Sequence, residues 1–204
     1  MTMKLLLLML VVVNCLPITG CFRNCKDAKY QFSMVDSFAP ETDSLRIGDT
    51  LWARSTHSTT FTDLLTNAQV NFSNSNIGVN LRILNLPDTS QQVAGGISDF
   101  DILTIDGNEV GNDNIPSQNK NFYFEEKKNS YLLKLALVPK KKGTYCISFS
   151  NSVGVVHRKK GCEKAGIEID NSNTNNHLYL YQTFFHGLPL DEYTKTHVYC
   201  FKVY

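Results

Sequence analysis

Apolar and polar positions alternate along most of this chain. From Lys29 to Val35, Tyr30, Phe32 and Met34 fall on one face and Gln31 and Ser33 on the other. That is the two-residue period of a half-buried strand. Gly48-Asp49 turns the chain into Thr50–Ser55, where Leu51 and Ala53 share one face and Thr50, Trp52 and Arg54 the other. Val70, Phe72, then Val79, Leu81 and Ile83 alternate around an Asn/Ser turn. Phe100 and Ile102 alternate with Asp99 and Asp101 up to Asp106-Gly107, a tight-turn signal. The stretch 106–121 is predicted to be a long polar loop, and Phe122–Phe124 a short aromatic strand. Tyr131, Leu133, Leu135 and Leu137 form the clearest strand, stopped by Pro139, and Tyr145, Ile147 and Phe149 the next, with Cys146 and Ser148 facing the other way. Residues 151–177 are polar and end in an Asn-rich run, 170–176; Leu178–Phe185 is apolar and aromatic, 188–195 suits one helical turn, and Val198–Tyr204 is a terminal strand.

The pattern gives about 8–9 strands and no amphipathic helix of a dozen residues. The expected fold is therefore all-β, an antiparallel immunoglobulin-like β-sandwich with little helix. Leu133, Leu135, Tyr145, Ile147 and Phe149 are expected to face inward. Trp52, the only Trp, is expected beside them, because one indole buries a large apolar area; a ligand-stacking platform is the alternative.

One segment breaks the alternation. After Lys4, Leu5–Val13 is an unbroken apolar run of nine residues, closed by Ile18-Thr19-Gly20-Cys21. The run is too short to cross a bilayer, which takes about 20 residues. A positive start, an apolar stretch and small residues before a cleavage point make a secretory signal. The predicted organisation is a signal at 1–20, a tether at 21–27 and one domain at 28–204.

Composition sharpens this picture in two ways. The chain has 20 basic and 19 acidic residues, so losing Lys4 leaves 20 − 1 = 19 against 19. Without net charge, nucleic acid is not an expected partner. The basic triplets Lys140–Lys142 and Arg158–Lys160 read as solvated turns. Of the six Cys, Cys15 leaves with the signal and Cys21 stands at the cleavage point. Cys25, Cys146, Cys162 and Cys200 remain, an even number suited to two disulfides in an oxidising compartment. The favoured pairing is Cys25–Cys200 with Cys146–Cys162; the rival joins Cys146 to Cys200, which share an outward alternation class.

Candidate chemistry is sparse. The five His (His57, His157, His177, His186 and His197) show no zinc-protease spacing, and no nucleophile elbow or phosphate loop occurs. The expectation is no metal, no cofactor and no catalytic set. Asp106–Gly111 echoes a calcium loop, but the twelfth position is Ser117 instead of Glu. The late aromatics Tyr179, Tyr181, Phe184, Phe185, Tyr193, Tyr199, Phe201 and Tyr204 offer a binding face wherever they are exposed.

Ile18-Thr19-Gly20-Cys21 resembles the lipobox of bacterial lipoproteins. The resemblance implies cleavage before Cys21, a diacylglycerol on its thiol, a palmitate-type chain on its amine and a membrane partner through that lipid. With Ile47-Gly48-Asp49-Thr50-Leu51-Trp52 and Tyr199-Cys200-Phe201-Lys202-Val203, the chain also looks like exported Bacteroidota lipoproteins, which implies the outer membrane. Phe22-Arg23-Asn24 lacks their acidic surface-export run, so the periplasmic and surface faces both stay open. Gly143-Thr144-Tyr145-Cys146 is similar to the Tyr corner of immunoglobulin-like domains, although Tyr adjoins Cys here and no Cys stands near Trp52. That likeness implies the architecture and not its disulfide. The expected role is a non-catalytic interaction or structural module with a protein or glycan partner. The alternatives are a glycan- or ion-binding lipoprotein using loops 106–121 and 170–177, and an enzyme whose site is assembled from scattered residues.

Overall fold

The computed structural model describes residues 29–86, 93–111, 119–151, 155–157 and 163–204. The expected signal and tether, Cys15, Cys21, Cys25, Cys162, Ser117 and the Arg158–Lys160 triplet lie outside them. The chain runs through β1 (Tyr30–Ala39), β2 (Ser44–Leu45), β3 (Leu51–Ser58), β4 (Thr60–Thr62), β5 (Gln69–Asn71), β6 (Gly78–Leu86), β7 (Ala94–Gly95) and β8 (Phe100–Asp106). It continues through β9 (Asn108–Val110), β10 (Asn119–Tyr123), β11 (Glu125–Lys127), β12 (Ser130–Pro139), β13 (Gly143–Asn151), β14 (Val155–His157) and β15 (Lys164–Asn171). Two short helices, α1 (Tyr179–Phe184) and α2 (Glu192–His197), precede β16 (Tyr199–Val203).

Two sheets share one core. The first runs β11-β12-β3-β1-β15-β14, with β8 also pairing β12; the second runs β2-β16-β13-β6-β10-β9, with β7 also pairing β6. Strands β4 and β5 form a separate ribbon. The alternation read from the sequence supplies the inner faces. Phe32, Met34, Phe38, Leu51, Ala53, Leu133 and Leu135 from the first sheet meet Leu81, Ile83, Tyr145, Ile147, Phe149 and Phe201 from the second. Phe38 ties the sheets directly, its ring centroid 5.9 Å from Phe149 and 5.0 Å from Tyr199.

Several expectations need correction. Both sheets are mixed, because β1 runs parallel to β15 and β2 parallel to β16. The long stretch between β1 and β15 supplies the crossover that a parallel pair requires. Two sheets of seven strands exceed the 8–9 expected; strands of two or three residues such as β2, β7, β9 and β14 are too short to show a period. Strand β15 lies in the stretch read as polar, although Ala165, Ile167 and Ile169 form a buried face that alternates with Gly166, Glu168 and Asp170. Asp106-Gly107 is a turn but not a hairpin: there the chain leaves the first sheet, with β8 on β12, for the second, with β9 on β10. Gly107 has φ +96°, and a Cβ there would stand 2.8 Å from both Leu133 Cδ1 and the Tyr123 carbonyl. Trp52 is not in the core. It is half-buried on the outer face of β3, where its parity with Arg54 puts it, so strand period outweighs side-chain size.

The disulfide expectation also changes. Cys146 and Cys200 face each other across β13 and β16 and are bonded, with Cα atoms 4.1 Å apart. This excludes the favoured Cys146–Cys162 and Cys25–Cys200 pairs. The shared outward parity of two neighbouring strands decides the partner. That outer face is itself covered: Cys146, Cys200 and Leu86 are buried under Leu178, Leu180, Tyr181, Phe184 and Phe185 of the α1 region.

Candidate interaction surface

Most polar groups able to do chemistry are engaged in holding the fold. The Asn-rich run closes the end of β1 as a substitute strand. Phe38 N–H donates to Asn173 Oδ1 at 2.7 Å, and Asn173 Nδ2 donates to Phe38 O at 2.6 Å. Ser172 N–H and hydroxyl both donate to Asp36 O, each at 2.8 Å. Asn171 Nδ2 donates to Asn176 Oδ1, and Asn175 N–H and Thr174 Oγ1 donate to the Glu41 carboxylate. These side chains act in Asx-type turns, which the run of Asn residues foretells. The contacts from Asn175 and then Thr174 hold the Glu41 carboxyl below its ordinary range.

A second cluster sits where β7 leads into β8. Asp99, nearly buried, accepts from Lys141 Nζ at 2.5 Å, from Asn85 Nδ2 at 3.1 Å and from Tyr145 OH at 3.2 Å. Burial opposes its charge most, but these donors together outweigh burial and lower its carboxyl. The Tyr145 hydroxyl also lies 3.3 Å from Lys141 O. Lys140 pairs with Asp101 at 2.9 Å, so two of the three lysines of the 140–142 triplet are bridged.

The third cluster faces the core. Asp36 is 2% exposed, and its Oδ1 has no hydrogen-bond partner among the described residues. Burial is the main reason its carboxyl is raised well above the ordinary range, with the charge of Asp170 adding to the rise. Opposite it in β3, Ser55 Oγ lies 3.1 Å from His57 Nε2 and donates to Val35 O at 2.9 Å. His57 Nε2 also lies 2.9 Å from Val35 N. The contact resembles a nucleophile with its base, but Ser55 is 3% exposed and its proton already serves a main-chain carbonyl.

The other predicted positions disperse. His177 is buried with its ring edge on Tyr199, and His197 lies 3.5 Å from Asp170. His186 is exposed, and the His157 side chain is outside the described set. Among the described residues no three His, Cys, Asp or Glu gather as a metal set. Glu109 of the calcium-like stretch is paired with Lys120 at 2.8 Å. Of the late aromatics, Tyr199 and Phe201 are core, Tyr181, Phe184 and Phe185 roof the disulfide, and Tyr179, Tyr193 and Tyr204 are exposed.

Two surface features remain. On the outer face of the first sheet, Trp52 lies under Lys134 Nζ at 4.7 Å and near the Arg54 guanidinium at 5.6 Å. Among the described residues neither cation has a carboxylate at ion-pair distance. Leu103 follows in register across Ala136, and with Ile105 it is more than half exposed on β8. A half-buried Trp beside Arg and exposed apolar residues is the composition of interface centres.

The second feature is a tip that the sequence pattern does not single out: Asp63-Leu64-Leu65-Thr66-Asn67, between β4 and β5. Asp63 is buried and accepts from Gln31 N–H at 2.8 Å, Thr66 Oγ1 at 2.6 Å and Leu65 N–H at 3.4 Å. The Gln31 bond first, then that of Thr66, holds its carboxyl below the ordinary range. Leu64 N–H donates to Gln31 O at 2.7 Å, and Asn67 closes the turn with φ +60°. The locked turn leaves Leu64 53% and Leu65 70% exposed. A pair of leucines between turn residues is the only sequence signal for it.

No family model and no curated protein matches the sequence. Among solved structures, the human F-spondin reeler domain is similar over 74% of this chain and 94% of its own, at 10% identity and a TM-score of 0.35. The CupB6 tip adhesin from Pseudomonas aeruginosa is similar over 72% of this chain and 42% of its own, at 11% identity and a TM-score of 0.22.

Proposed function

We propose that this chain is a lipid-anchored envelope protein of immunoglobulin-like sandwich type that works without catalysis, as an interaction or structural module. Cys21 carries the lipid, and the outer face of the first sheet around Trp52, Arg54 and Lys134 meets the partner. The observation that carries this reading is a division of labour. Most carboxylates and amides that could serve chemistry are committed to hydrogen bonds that hold the fold, while an aromatic side chain and two cations without acid partners among the described residues lie on the outer face. The glycan- or ion-binding reading draws less support, because the amide oxygens of Asn171, Asn173, Asn175 and Asn176 already accept hydrogen bonds from within the fold.

Metabolic labelling with a fatty-acid analogue tests the anchor. Label is expected on the wild type and not on Cys21→Ser. An unlabelled, soluble wild type overturns the reading. For the face, Trp52→Ala and Lys134→Glu should abolish a site-specific photocrosslink placed on Arg54, with the melting temperature unchanged.

A further inference from the structure

The locked tip at 63–67 lies where the chain enters the domain, and we propose that Leu64 and Leu65 insert into the lipid surface that holds the N terminus. This inference rests on the Cys21 reading above. The tip is bonded to Gln31, both through the Asp63 carboxylate and through Leu64 N–H. Gln31 is two residues past Lys29, and Lys29 is 29 − 21 = 8 residues past Cys21. Eight extended residues span at most about 30 Å. An acyl group on Cys21 therefore keeps Lys29, two residues before the Gln31 that holds the tip, within that distance of the bilayer at all times.

The tip is built to be exposed. Leucines this accessible normally lose exposure by a local collapse of the loop. Here the Asp63 carboxylate, the Thr66 hydroxyl and the Asn67 turn fix the backbone, so the side chains project without rearrangement. A preorganised apolar contact has little conformational entropy left to lose on insertion. The surrounding charge is nearly balanced. Lys29, two residues before Gln31, is opposed by Glu163 at 3.9 Å. Selection for anionic lipid is therefore not expected; the contact is apolar, and the acyl anchor supplies the local concentration that two leucines alone would lack.

The experiment places an indole on the tip. The full chain carrying Leu65→Trp and Trp52→Phe is reconstituted in phosphatidylcholine vesicles whose acyl chains are brominated, and in matched phosphatidylglycerol-containing ones. Strong quenching of the indole at position 65 is expected in both, with little quenching of Trp52 in the wild type. Leu64→Ser on that background should lower the inserted-to-free ratio about ten-fold, as for one leucine side chain withheld from apolar surroundings. Mass measurement of Cys21 reports the anchor separately. If Cys21 proves unacylated, the anchor reading fails, and the tip is then read on the same chain held by an N-terminal His tag on nickel-chelating vesicles. Co-flotation with a native melting curve and an unquenched indole overturns the tip proposal in either format. Indole shielding without bromine quenching, with a doubled mass in sedimentation, overturns it in favour of a second copy of this chain.

Discussion

Removing the Cys146–Cys200 bond tests how far the second sheet depends on its cross-link. The cysteines are 54 residues apart in sequence, so the bond closes a loop through β14, β15, α1 and α2. In the chain-entropy treatment a loop of that size withholds about 14 cal/mol/K from the unfolded chain, or about 4 kcal/mol at 25 °C. The sulfurs also fill space beneath Tyr181, Phe184 and Phe185. Replacing both cysteines by Ala therefore adds a packing loss to the entropic one, whereas reduction leaves the volume almost unchanged. Reductant is not specific to this pair in a chain of six cysteines, so the paired substitution is the cleaner arm. In urea, with a slope of about 2 kcal/mol/M, the midpoint should fall by about 2 M. Trp52 fluorescence follows the first sheet and far-ultraviolet dichroism the whole fold, so both signals should shift together. A Cys146→Ala/Cys200→Ala variant with an unchanged midpoint and slope would refute the entropic argument, and one that shifts dichroism alone would refute the single shared core.

Three further outcomes follow from named contacts. Leu135→Ala should cost about 2–5 kcal/mol in chemical denaturation, because Leu135 is fully buried between the sheets. Tyr131→Phe should cost about 1–3 kcal/mol by the same assay, since its hydroxyl donates to Phe72 O at 2.9 Å and accepts from Ser75 N–H at 3.1 Å; the hydroxyl itself is pushed up to about 12, chiefly by burial. For Asp36, whose carboxyl is raised in the folded state, stability is fully present below the unfolded-chain value near 3.8 and is lost as pH rises through the folded value. The loss runs at up to about 1.4 kcal/mol per pH unit for one group. Asp36→Asn removes it, so the variant's advantage should widen as pH rises above about 4; parallel stability curves for the two proteins would dismiss the assignment.

Alternation made the inner faces legible: Phe32, Leu51, Leu133, Leu135, Tyr145, Ile147 and Phe149 lie where a two-residue period puts them. The same period placed Trp52 outside, and trusting residue size over parity misplaced it. Strand β15 carries the same period, with Ala165, Ile167 and Ile169 against Gly166, Glu168 and Asp170, but only three apolar residues set between polar runs carry it, so the stretch reads as polar. The Cys146–Cys200 bond was readable as parity but not as adjacency, since adjacency of β13 and β16 is a property of the whole fold. The tip at Asp63 was illegible for a similar reason. What locks it is the main chain of Gln31, 32 residues earlier, a contact that no local spacing encodes.

The parallel pairing of β1 with β15 also sets an order of events during folding. Tyr30 lies opposite Ala165, a separation of 165 − 30 = 135 residues. On its other side β1 meets β3 from Asp36 to Ala39 only. A chain emerging from its N terminus can thus form the β1–β3 contact early, while the other edge of β1 stays open until Lys164–Asn171 of the 204 residues have arrived. Closing so large a loop precedes any gain from the seven-residue ladder, and such non-local topologies fold slowly. During that interval the main-chain edge of β1 from Tyr30 to Asp36 stands unpaired. A helper that shields extended apolar segments should therefore speed recovery of native protein more than it raises final stability, and a truncation before Lys164 should leave β1 as the site of aggregation.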